Sequence, residues 1–192
     1  MHNTILFSLI IIFIYIFLFL NRNNVIYIET YTGTKYLVSN DNMKQDAANL
    51  LDNIVKTMFK LKKYLYEKIK DYPDYAPYIK QLNDNLNEDK TTIYETDPNT
   101  DLTSYSVNKG EEVAFCLKSK KTGQLHDINL MTYVALHEMA HIGCPETGHG
   151  ELFKKVFKFL TERAIELNLY KKIDYNVAPV EYCGMTLSSS IV

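Results

Sequence analysis

Three of the five histidines fall within thirteen residues, at His137, His141 and His149, and two of them frame a glutamate in the run His137-Glu138-Met139-Ala140-His141. On an α-helix, residues four apart stand one above the other, so a helix through this run aims two imidazoles at one spot. Neutral imidazole is a good zinc ligand. Glu138 lies about 100° round the helix from His137, near such an ion without having to bind it. That is where a general base must stand to take a proton from metal-bound water. Leu130, Met131, Tyr133, Val134, Leu136, Met139, Ala140 and Ile142 make the segment apolar on most sides, which predicts a helix buried in the domain. Two histidines and a glutamate in such a helix are costly unless something coordinates them.

The exit from this helix supports the same reading. Gly143 is expected to stop it in the left-handed conformation, with Pro145 just beyond. His149 then opens a second amphipathic helix marked by Leu152, Phe153, Val156, Phe157, Leu160, Ala164 and Leu167. Folded back, His149 becomes the third ligand and leaves a fourth position to water, the open arrangement of a catalytic zinc. Gly148 and Gly150 permit close backbone approach. A closed structural zinc with Cys144 as fourth ligand is the alternative, but it has no use for Glu138. His126 and Asp127 read as a polar pair at the helix start, with Asp127 or Asn129 as the cap.

Elsewhere the most distinctive feature is Ile5 to Leu20, which has no charge and only Ser8 as a small polar residue. As a helix, those residues cover roughly 24 Å, slightly short of a hydrocarbon core of about 30 Å. The start has no Lys or Arg and the exit no small-residue cleavage pattern, so an uncleaved anchor is expected over a signal peptide. Arg22 and Lys35 follow the run and none precedes it, which places the body on the cytosolic side. Cys116, Cys144 and Cys183 are odd in number and widely spaced, which favours free thiols in a reducing compartment, with a Cys144–Cys183 bridge as the other possibility. With 21 basic against 23 acidic residues, no large field draws in nucleic acid.

The body divides by pattern. Val25 to Ile28 and Lys35 to Val38 suggest a hairpin around Gly33. From Asp41 onward, Leu51, Ile54, Met58, Leu61 and Leu65 recur at helical spacing among lysines. Pro73 and Pro77 break that helix, and a short one follows from Pro77 to Leu86. Strands are expected at Thr92 to Glu95, Leu102 to Val107 and Glu112 to Leu117, the last two joined through Lys109-Gly110.

His137 to His141 followed by His149-Gly150-Glu151-Leu152-Phe153 resembles the zinc-helix pattern of the WLM and SprT-like metalloproteases. These are compact zincins with three histidine ligands, and the run is also similar to that of small metallopeptidases of large DNA viruses. The resemblance spans about Asn108 to the C-terminus, although seven residues separate His141 from His149, more than is usual in WLM proteins. It implies His137, His141 and His149 as zinc ligands, Glu138 as base, Phe153 packed beneath the third ligand and a polypeptide as substrate. It also implies that the strand before the zinc helix, with Val113 and Phe115, accepts extended substrate by strand addition. A C-terminal phenol would donate to the oxyanion, and Tyr182 is the candidate.

The expected architecture is α+β. Residues 1–24 form a transmembrane helix with a short flank, in contact with membrane lipid. Residues 25–90 form a juxtamembrane segment with helices, and residues 91–192 a zincin-like core with a small, mainly antiparallel sheet and a zinc-binding helix. The competing reading is a zinc-stapled membrane or virion structural protein without turnover.

Overall fold

A computed structural model describes residues 7, 10–15, 24–97 and 100–192. Most of the apolar run from Ile5 to Leu20, and with it the expected transmembrane helix, lies outside the described residues. Among the described residues, no helix is long and apolar enough to cross a membrane.

Strands β1 (Val25–Glu29) and β2 (Lys35–Ser39) pair antiparallel, with Glu29 opposite Lys35, and Gly33 supplies the left-handed turn at φ 86°. Helix α1 (Lys44–Glu67) buries Leu51, Ile54, Met58, Leu61 and Leu65 at alternating three- and four-residue steps, the stripe expected from the sequence. A charge sits on that inner side too. Asp52 is 1% exposed and accepts from Lys56 Nζ at 2.6 Å, Thr32 Oγ1 at 3.0 Å and Tyr36 Oη at 3.4 Å. A buried carboxylate is tolerable only when it is paired in this way, so it ties the hairpin to the helix. Two 3-10 turns (Ile69–Asp71 and Pro73–Tyr75) lead to α2 (Ala76–Asn85), whose first turn accepts Pro77 because an N–H there has no intrahelical partner.

The sheet is mixed. Strands β3 (Thr92–Glu95), β4 (Tyr105–Val107) and β5 (Glu112–Phe115) lie in the order β3-β5-β4, with β3 parallel and β4 antiparallel to β5. Helices α3 (Ile128–Gly143) and α4 (Glu151–Glu166) pack together, and a C-terminal hairpin of β6 (Val180–Tyr182) and β7 (Met185–Leu187) returns to the end of β5, where Cys183 meets Cys116. One buried cluster runs from Tyr36 through α1, α2, β5, α3 and α4 to Cys183. The helices of residues 25–90 contribute to this same buried cluster.

Two of the three cysteines are paired. A Cys116–Cys183 disulfide links positions 67 residues apart, and Cys144 is free and buried. This corrects both the expectation of three free thiols and the alternative Cys144–Cys183 pairing. Local spacing could not show it, because only the return of the C-terminal hairpin brings Cys183 to the end of β5.

Candidate metal centre

The helix that carries the histidines starts at Asp127, whose carboxylate accepts from the backbone N–H of Asn129 at 2.8 Å and of Leu130 at 3.4 Å. Asn129, the other candidate cap, instead pairs with the Lys171 backbone in both directions at 2.8 Å. At the far end the expected left-handed glycine is absent. Gly143 is the last helical residue, and the chain leaves through Cys144 at φ −90°, ψ 129°. Glycine is needed there for space, since a Cβ would stand 3.2 Å from the Tyr78 carbonyl oxygen and 3.3 Å from Leu82 Cβ on α2.

Pro145 then turns the chain, Gly148 takes φ 77°, and Gly150 leads into α4 in extended conformation. This brings His149 back over α3. The three Nε2 atoms of His137, His141 and His149 form a triangle with every edge 3.1 Å. Nitrogens bonded to tetrahedral zinc at 2.0–2.1 Å stand about 3.3–3.4 Å apart, so the donor set fits that ion. Three imidazole nitrogens at mutual contact cannot all satisfy one another, and a cation between them removes the conflict. Phe153 supports the trio, its ring centroid lying 5.0, 4.3 and 4.8 Å from those of His137, His141 and His149. Among the described residues only these three side chains form a metal-competent cluster, and Cys144 is outside it.

Electrostatics keep His137 and His141 neutral, the form that can bind a metal. Burial first, then the neighbouring His141 and His149, lower the pKa of His137 to about 3. Burial, His149 and Lys109 lower that of His141 to about 4. Burial also raises Glu138 to about 7, against a smaller opposing effect from its Ser106 hydrogen bond. Glu138 is 3% exposed, and its Oε2 has no hydrogen-bond partner among the described residues.

All four groups line a cavity of about 730 Å³. Its walls are Ser104 with Tyr105 and Ser106 of β4, Tyr133 and Val134 one turn back on α3, Tyr182, Met185 and Leu187 from the C-terminal hairpin, and Asn108, Lys109 and Thr147. Tyr182 lines the same cavity as Glu138. Its hydroxyl pairs with Ser104 Oγ, which also accepts from the Cys116 N–H at 3.1 Å. Burial holds the Tyr182 phenol above its ordinary pKa.

The strand assignment needs correction. Val113 and Phe115 lie on β5, paired on both sides and fully buried, so they cannot meet a substrate. Among the described residues, the free sheet edge beside the cavity belongs to β4. The alternation of Val and Phe marked β5 as a strand, but only the sheet order shows that it is central. His126, expected only as a polar neighbour of Asp127 at the helix start, is buried beside the disulfide and accepts from the Cys183 N–H at 3.2 Å. Ser104 and Ser106 carried no local signal, and Lys109 only that of a turn residue.

No protein-family model matches the chain. It is 49% identical over 161 residues to protein R325 of Acanthamoeba polyphaga mimivirus, covering 84% of this chain and 81% of that protein. Protein 136R of Invertebrate iridescent virus 6 is 41% identical over 69 residues, 35% of this chain and 38% of that protein. Among solved structures, Wss1 from Saccharomyces cerevisiae is similar over 67% of this chain and 84% of that chain, with a TM-score of 0.47 and 19% identity.

Proposed function

We propose, for a chain that belongs to the family of protein R325 of Acanthamoeba polyphaga mimivirus, a zinc-dependent endopeptidase activity on extended polypeptide. The observation that carries this reading is the convergence of three Nε2 atoms 3.1 Å apart in one cavity with a buried carboxylate oxygen that, among the described residues, has no partner, next to a strand edge that is open among them. His137, His141 and His149 would hold the ion. When bound, zinc supplies Lewis acidity toward water and toward a peptide carbonyl.

The remaining chemistry belongs to the chain. Glu138 Oε2 receives the proton of the attacking water and returns it to the leaving amine. Its carboxylate is buried and Oε2 has no hydrogen-bond partner among the described residues, so it is free to take that proton. Tyr182, held at its oxygen by Ser104, donates from its hydroxyl to the carbonyl oxygen as charge develops there. Strand β4 offers its unpaired backbone groups to an extended substrate segment, which fixes the scissile bond above Glu138. The apolar run from Ile5 to Leu20 tethers this body to a membrane, with the body on the cytosolic side.

Purified protein is expected to bind one zinc per chain and to cleave an unfolded polypeptide, with activity lost to a chelator and restored by zinc. Glu138→Gln keeps the zinc and loses cleavage, whereas His149→Ala, left with two imidazoles, binds zinc far more weakly. Full cleavage by Glu138→Gln, or unchanged zinc content in His149→Ala, would refute the assignment.

A further inference from the structure

Lys109 lines the cavity, which suggests a substrate contact, but its hydrogen bonds point elsewhere. Its ammonium donates to three carbonyl oxygens: Cys144 at 2.6 Å, Glu146 at 2.7 Å and His141 at 3.1 Å. An ammonium has three N–H donors, so none remains for substrate. We propose that Lys109 is a positioning residue for the metal centre, and that it places the third ligand, His149, by holding the segment that leads to it. This inference rests on the metal-centre reading above.

The final carbonyls of α3 lack intrahelical partners, and a cation there also complements the helix dipole. Ala140 O is taken by the Cys144 N–H and Ile142 O by Gln81 Nε2, while His141 O falls to Lys109. Beyond the helix, residues 145–150 are exposed. Among the described residues, the backbone of 145–149 makes no hydrogen bond except the one from Lys109 to Glu146. The segment between the second and third ligands therefore depends on this one side chain.

The way Lys109 is delivered supports the same role. The β4–β5 turn holds Asn108 at φ 47° and Lys109 at φ 59°. Left-handed backbone is strained for lysine and easier for asparagine or glycine, so lysine is at a position the turn alone would not choose. Gly110 presses the turn onto the end of α3: a Cβ would meet Asn85 O at 3.1 Å and Ile142 Cγ2 at 3.2 Å. The base of the lysine is thereby fixed relative to the helix whose exit it clamps.

The test is a double-mutant cycle read by zinc affinity, measured on the full chain by competition with a chromophoric chelator. Lys109→Asn suits the left-handed turn and removes only the cation. It is expected to weaken zinc binding by about tenfold or more, the usual effect of losing a group that orients a ligand. Lys109→Arg should recover most of that loss. In a His149→Ala background, Lys109→Asn should change the remaining zinc affinity by less than about threefold, because the residue it acts through is gone. Equal losses in both backgrounds would make Lys109 a general stabiliser and overturn the proposal, as would wild-type affinity in Lys109→Asn. If Lys109→Asn does not fold, Lys109→Gln carries the same comparison. Absence of zinc binding by the wild type would instead overturn the metal-centre reading on which this rests.

Discussion

Replacing Glu138 by glutamine removes a buried ionisable group without changing its shape, and the structure sets how that acts on stability. Burial raises the carboxyl from 4.5 to about 7. A group whose pKa is higher folded than unfolded contributes stability that is fully present below the unfolded value and is lost as pH rises through the folded one. In wild-type protein this loss falls between about pH 4.5 and pH 7, and glutamine has no such term. At about 1.36 kcal/mol per unit, the stability of Glu138→Gln relative to wild type should rise by about 2.5 kcal/mol from pH 5 to pH 8. Both proteins must be metal-free, since a bound cation would hold the carboxylate ionised. His137 and His141, with lowered pKa values, destabilise the fold as pH falls from 6.5 toward their folded values of about 3 and 4. That effect is common to both proteins and largely cancels in the difference. Urea unfolding at the two pH values measures it. A difference that stays flat with pH, or falls as pH rises, would refute the argument that burial governs this carboxyl.

Two further outcomes follow from the fold. Reducing the Cys116–Cys183 disulfide, which closes 67 residues of chain, should cost about 4 kcal/mol from the entropy returned to the unfolded chain. It should also lower cleavage, because Cys183 adjoins Tyr182; an unchanged urea midpoint in reductant would contradict the first expectation. Gly143→Ala should destabilise by about 1 kcal/mol, because overpacking against Tyr78 and Leu82 outweighs alanine's helix propensity. A raised thermal midpoint would show that α2 yields without cost.

The readings that held were those whose evidence lies within a few residues. The spacing of His137, His141 and His149 and the apolar stripe of α4 predict two helices and a metal-competent trio, and both are found. The Asp127 cap and the β1–β2 hairpin around Gly33 were legible for the same reason. Gly143 was singled out correctly but for the wrong cause. Composition cannot distinguish a glycine required for its backbone angle from one required for a neighbour's approach, and here the neighbour, Tyr78 on α2, is 65 residues away in the chain.

The sheet edge, the disulfide and the Lys109 clamp had no signature of this kind. Val113 and Phe115 mark a strand equally well whether it is central or at an edge. Lys109 resembles any turn lysine until α3 ends against it, and Asp52 any surface acid until the hairpin closes over it. Which side chains share a helical face and where the chain must turn can be read from local spacing, because both depend on a periodic backbone over a few residues. Tertiary structure alone decided which backbone edge is open, which cysteines meet and what holds His149 in place, because each joins atoms far apart along the chain that only packing brings within reach.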